Sequence, residues 1–107
     1  MPCPEISYFT ENPYNDYDEI QRLVSDGFYS WRLDPIQTSI VVGVYRLGLK
    51  TDDTFTFVQT YQELGIQRAI VQAEHSEPNL CRYVFDLLQP VRQGTGGIWV
   101  VDSAALR

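Results

Sequence analysis

The chain has 107 residues, 44% of them hydrophobic and 13% aromatic, which suits one packed domain and excludes both a second core of ordinary size and the composition of a disordered chain. Fourteen Asp and Glu against eight Lys and Arg give a formal net charge of −6. That charge opposes direct attraction to nucleic-acid phosphates or anionic membrane surfaces and makes a basic protein or a cation the more natural charged partner, although it also serves simply to keep a small domain soluble.

No apolar run approaches the roughly 18 residues of a membrane span, and no basic-then-apolar leader opens the sequence, so the chain as written reads as a soluble product. An upstream leader or lipid anchor would change that reading. Residues 1–14 carry Pro2, Pro4 and Pro13 with Tyr8 and Phe9 between them, the pattern of an extended arm. Helical spacing follows. Asp16 can cap with Glu19 three residues on, and Ile20, Leu23, Val24, Gly27 and Phe28 recur so as to predict a helix over residues 16–29. Asp34-Pro35 predicts the start of a second helix, with Ile36, Ile40, Val44 and Leu47 on its apolar side and Gly48-Leu49 as its left-handed stop. The β-branched run from Thr38 to Tyr45 would equally suit a buried strand; the caps at both ends favour helix, and the helical part spans residues 15–49.

Beyond the charged turn at residues 50–53, Thr54 to Tyr61 alternates with period two and places Phe55, Phe57 and Tyr61 on one face. Residues 62–65 turn the chain into a strand from Ile66 to Glu74, with Ala69, Val71 and Ala73 on one side. A polar turn, His75 to Asn79, leads to a third strand, Leu80 to Leu88. Pro90, Gly94, Gly96 and Gly97 then make a long hairpin loop into Ile98-Trp99-Val100-Val101, where Trp99 and Val101 alternate with Ile98 and Val100. Both faces of this last strand are apolar, which predicts a central or well-packed position. The expectation is one α+β domain over residues 1–107: two N-terminal helices packed on one face of a four-stranded antiparallel meander at residues 54–102, cystatin-like or NTF2-like.

Trp31-Arg32-Leu33-Asp34-Pro35, Leu47-Gly48-Leu49 with Asp53-Thr54-Phe55, and Gln89-Pro90-Val91-Arg92-Gln93-Gly94 with Gly96-Gly97-Ile98-Trp99-Val100-Val101 resemble a small domain of secreted and lipid-anchored proteins of Gram-positive bacteria. The resemblance covers about residues 31–101. It implies an extracytoplasmic location and a non-enzymatic role; the acidic N-terminal part lies outside it.

The candidate chemistry is sparse. Cys3 and Cys81 have no metal-ligand spacing; they can pair if the N-terminus crosses the third strand, while the apolar strand around Cys81 favours a buried thiol and leaves compartment open. His75 lies beside Glu74 and Glu77, but without a second histidine or a cysteine pair the trio reads as a solvated turn rather than a metal site. No Gly-x-Ser-x-Gly elbow supports serine hydrolase chemistry. Asp86 could serve as a base inside an NTF2-like cone, or Asp86 and Arg82 could belong to an exposed ion-pair face. The glycines at 94–97 read as a hairpin loop rather than a phosphate cradle, because no helix follows.

The N-terminal third is the most distinctive. Glu5, Glu11, Asp16, Asp18, Glu19 and Asp26 face only Arg22 in the first thirty residues, interleaved with Tyr8, Phe9, Tyr14 and Tyr17. Acid with tyrosine suits docking on a basic protein, and Tyr14, Asp16, Tyr17, Asp18 and Glu19 are the candidate contact residues. Two expectations follow, neither needing a cofactor or a metal. The first is a non-catalytic interaction or accessory domain of an exported or surface-anchored bacterial protein. The alternative is a small acidic inhibitor, phage-encoded for example, that binds a basic nucleic-acid-binding protein through this region.

Overall fold

Asp16 caps the first helix, its side chain accepting a hydrogen bond from the Glu19 N–H at 2.7 Å, and α1 runs from Tyr17 to Ser25. The computed structural model describes residues 16–75 and 80–106, so the expected arm over residues 1–14 and the turn residues 76–79 lie outside the described residues. α1 is shorter than the predicted span. Gly27 enters the left-handed region at φ 96°, its N–H donates to the Val24 carbonyl and the Phe28 N–H donates to the Leu23 carbonyl, both at 2.9 Å. This paired closure ends the helix, so Phe28 is not part of the apolar helical face.

A single 3-10 turn, Ser30–Leu33, leads into α2, Pro35–Leu47. The Asp34 carboxylate accepts from the Ile36 and Gln37 N–H groups at 2.8 and 3.4 Å, and Gly48 closes the helix at φ 79°. The caps act as the sequence implies, but the buried face is rotated from the expected Ile36, Ile40, Val44 and Leu47 line. Thr38, Ser39, Val42 and Gly43 are the buried positions. A Cβ at Gly43 would lie 3.0 Å from Leu49 Cδ1 and 3.4 Å from the Phe55 and Phe85 rings, so this glycine lets the helix axis approach the sheet. Thr38 and Ser39 tolerate burial because their hydroxyls donate to the Trp31 and Pro35 carbonyls at 3.1 and 2.8 Å.

The sheet contains β1 (Thr54–Glu63), β2 (Ile66–His75), β3 (Cys81–Leu88) and β4 (Val100–Leu106), all antiparallel and paired in sequence order. Leu64 and Gly65 join β1 to β2 with φ 54° and 80°, the two positive values that a tight two-residue hairpin requires. The meander is as predicted. β4, however, is an edge strand, and the two helices lie on opposite faces rather than on one. Leu87 opposes Val101 while the adjacent Leu88 opposes Val100, so the two pairs point to opposite sides. Val101, Leu87 and Trp99 join Val42 and Leu49 in the core beneath α2. Val100, Ile98 and Leu88 pack instead with Ile20, Val24 and Tyr17 of α1. An edge strand is thereby buried on both faces, which explains its apolar sequence without a central position.

Two register shifts shape the face that α1 leaves open. Between Phe57 and Gln59 the register with β2 slips, so Tyr61 opposes Arg68 and not a core residue. The expected shared face of Phe55, Phe57 and Tyr61 is therefore broken at Val58, because one inserted residue reverses every later side chain. A second shift, between Asp86 and Leu87, leaves Asp102 out of the pairing between Ser103 and Val101.

Candidate functional site

The predicted contact residues are distributed among different tasks. Tyr14 lies outside the described residues. Asp16 is the cap of α1, and Tyr17 packs against the cluster of Ile20, Val24, Ile98 and Val100. Glu19 accepts from Arg22 at 2.7 Å, and Arg22 also reaches Asp26 at 3.5 Å. Asp18 is exposed. The acidic face is real, and part of it serves the helix itself, since acids near an N-terminus and pairs spaced three or four apart stabilise an isolated turn.

Between α1 and the 3-10 turn lies a partly open hollow of about 150 Å³, lined by Ile20, Leu23, Tyr29, Trp31 and Arg32. Tyr29 takes φ 53°, ψ 46°, a left-handed conformation that costs a bulky residue on the order of 1–3 kcal/mol. Tyr29 is 56% exposed, and Phe28 beside it is 59% exposed. The Arg32 guanidinium stacks over the Trp31 ring at 4.4 Å and donates through Nη1 to the Trp99 carbonyl at 3.2 Å, which ties the lining of the hollow to the residue that precedes β4. Sequence reasoning missed this place. Its aromatic residues look like helix continuation until Gly27 is seen to stop the helix.

On the open face of the sheet, Arg68 meets Tyr61, Asp86 and Asp102. Tyr61 donates its hydroxyl to Asp86 Oδ2 at 2.8 Å, Arg68 Nε donates to the Tyr61 oxygen at 3.0 Å and to Asp86 Oδ1 at 3.3 Å, and Arg68 Nη2 pairs with Asp102. Burial and the Asp86 hydrogen bond push the Tyr61 pKa above its ordinary value, with Arg68 opposing. Burial alone would lower the Arg68 pKa, but its bonds to Asp102 and Tyr61 and the charge of Asp86 outweigh that and raise it. The Asp86 side chain is 27% exposed and engaged by two donors. Arg82 pairs with Glu74 across the strands at 2.8 Å rather than with Asp86. This is a cross-strand ion-pair face assembled by the two register shifts.

His75 departs from its expected place in a solvated turn: it ends β2, is buried, and shares a 2.8 Å Nδ1 to Asp53 Oδ1 contact. The other Asp53 oxygen accepts from the Lys50 N–H at 2.8 Å. Burial, then the charge of Asp53, raises the pKa of the fully buried Tyr83. Among the described residues no group of three or more His, Cys, Asp or Glu is arranged to hold a metal ion.

The glycine loop closes on itself. Gln89, 1% exposed, accepts from the Gly94 N–H at 2.6 Å and donates to the Gly94 and Gly97 carbonyls at 2.9 and 3.1 Å. Gln21 of α1 donates to the Gly96 carbonyl and accepts from the Ile98 N–H at 2.8 and 3.0 Å. A Cβ at Gly97 would lie 1.9 Å from the Arg92 carbonyl oxygen, so only glycine fits. The Gly94 N–H and the Gly97 N–H, which bonds the Gly94 carbonyl at 3.1 Å, are engaged within the loop and do not line an anion cradle.

Cys81, at the start of β3 and 2% exposed, is disulfide-bonded. A buried free thiol was the favoured expectation from the sequence, and the structure corrects it. The one other cysteine in the sequence, Cys3, lies outside the described residues. Among the described residues no helix is long and apolar enough to cross a membrane. Comparison of the chain with protein-family models, with curated proteins and with solved structures finds no match.

Proposed function

We propose that this chain is a non-catalytic interaction or accessory domain of an exported or surface-anchored bacterial protein. The observation that carries the reading is the disulfide at Cys81. Such bonds persist in oxidising compartments and are rare in a reducing cytoplasm, and small extracytoplasmic domains use them to add to a limited core. The side chains with chemical potential support the same reading. His75 and Asp53 are buried against one another, and Arg68, Tyr61, Asp86 and Asp102 satisfy one another on the sheet. A cystatin-like or NTF2-like relationship remains part of the proposal only as an order of elements, helices before a four-stranded meander.

Display of the full oxidised chain on a Gram-positive cell, with chemical crosslinking to its neighbours, tests this reading. The expected result is a discrete adduct mapped by mass spectrometry to α1 or the 3-10 turn. A chain that gives no adduct on the cell, yet turns over a substrate in solution, overturns it.

The second reading, a small acidic inhibitor of a basic nucleic-acid-binding protein, is favoured by Asp18 and Glu19 standing exposed or half-exposed on α1. Asp16→Asn keeps a capping side chain; combined with Asp18→Asn and Glu19→Gln, it should weaken binding to a basic partner at least ten-fold. Unchanged affinity removes that reading.

A further inference from the structure

The hollow between α1 and the 3-10 turn has a size, a lining and an acidic setting that together specify what fills it. At about 150 Å³ it is below the roughly 300–1,000 Å³ of sites that enclose a cofactor or drug-sized ligand, and it matches the cavity volume that holds a single benzene-sized group. It therefore suits one leucine- or phenylalanine-sized side chain. Its lining includes Tyr29, Trp31 and Arg32, the three residue types most enriched where interfaces concentrate their binding energy. Tyr29 and Phe28 are more than half exposed although both are large and aromatic, and Tyr29 holds its place in a backbone conformation that a bulky side chain disfavours.

The segment that forms it has one-sided charge. Residues 16–34 carry Asp16, Asp18, Glu19, Asp26 and Asp34 against Arg22 and Arg32. Arg32 is buried with its guanidinium on the Trp99 carbonyl, and Arg22 is shared between Glu19 and Asp26. Glu19 on α1 and Asp26, its C-cap, lie four residues before and three after Leu23, which lines the hollow. An apolar socket in an acidic segment is complementary to an apolar side chain flanked by cations.

We propose that this hollow is the docking point for a Lys/Arg-rich segment of a partner protein, which seats one Leu or Phe side chain between Leu23, Tyr29 and Trp31 and lays its cationic side chains beside Glu19 and Asp26. The inference rests on the interaction-domain reading and names the site and partner chemistry within it.

The test uses the full, oxidised, nitrogen-15-labelled chain titrated with three synthetic peptides: Gly-Lys-Lys-Phe-Lys-Lys-Gly, the same peptide with Ala for Phe, and the same peptide with Glu for every Lys. Expected are amide and indole shifts confined to Ile20, Leu23, Tyr29, Trp31 and their neighbours, binding of the Phe peptide at least ten-fold tighter than the Ala peptide, and no binding of the Glu peptide. Tyr29→Gly removes the ring where glycine accepts the backbone conformation, and should lower affinity at least ten-fold without lowering the melting temperature. Equal affinity for the Phe and Ala peptides overturns the proposal. So do shifts centred on α2 or the sheet, unchanged affinity in Tyr29→Gly, or concentration-dependent shifts of the same residues in the chain alone, which would assign the hollow to a second copy. Binding elsewhere on the chain overturns this site and leaves the interaction-domain reading standing; absence of any adduct on the cell, together with turnover of a substrate, removes that reading by itself.

Discussion

Arg32 and Trp99 hold one another through two hydrogen bonds: the Trp99 N–H donates to the Arg32 carbonyl at 2.8 Å, and Arg32 Nη1 donates to the Trp99 carbonyl at 3.2 Å. Residues sixty-seven positions apart are thereby joined where the chain enters β4, and the helical segment becomes continuous with the sheet. Trp99 is 7% exposed within the core beneath α2. Trp99→Ala should cost about 3–5 kcal/mol, the usual range for truncating a buried aromatic residue. The denaturant midpoint measures it, and an unchanged midpoint would place the ring at the surface.

Gln89 makes a different kind of contribution, since its amide replaces missing backbone partners inside the loop. Gln89→Leu keeps the bulk and removes three hydrogen bonds, to the Gly94 N–H and to the Gly94 and Gly97 carbonyls. The expected loss is roughly 1–3 kcal/mol for a buried polar group left unpaired, with faster amide hydrogen exchange at Gly94. Wild-type stability in this variant would show that water substitutes for the amide.

The Asp53 and His75 pair ties the turn before β1 to the end of β2. Asp53→Ala leaves the buried His75 Nδ1 and the Lys50 N–H without their carboxylate, and about 1–3 kcal/mol should be lost. Equal urea midpoints for variant and parent would show that the pair carries no net stability.

Alkaline pH should destabilise the fold in a defined window. Tyr61 and Tyr83 both have pKa values raised above 10.0, by burial first and by carboxylate neighbours second. A raised folded-state pKa means that the unfolded chain loses its phenolic protons first, so the contribution is fully present below about pH 10 and is lost as pH rises through the folded values. Thermal unfolding between pH 8 and 11.5 should show a falling melting temperature above about pH 10, with a shallower fall in Tyr61→Phe. A steeper fall in that variant contradicts the assignment.

Much of this architecture is legible in the sequence where one local signal decides the backbone. Asp34-Pro35 and Gly48 bound α2, Leu64-Gly65 makes the first hairpin, and the alternation of Ile98 to Val101 sorts those residues onto two faces. The rest depends on partners distant in sequence. Nothing in Phe57-Val58-Gln59 announces that the register slips there, yet that slip turns Tyr61 toward Arg68 and Asp86. Thr38, Ser39 and Gly43 form the buried face of α2 because proximity to the sheet outweighs hydrophobicity. Gln21 and Gln89 look like surface amides until the glycine loop supplies their partners. The acidic residues of α1 were visible as a pattern, whereas the hollow beside them forms only once Gly27 ends the helix.

The oxidised state of Cys81 bears most directly on the account of an extracytoplasmic interaction domain. The chain isolated from its native cells should be quenched in acid, unfolded and alkylated without reductant, and its mass compared before and after reduction. The expected result is no alkyl group on either cysteine before reduction and two after it, with reduction of the native protein costing about 2–5 kcal/mol of stability. Two alkylated thiols before any reductant is added would contradict the account.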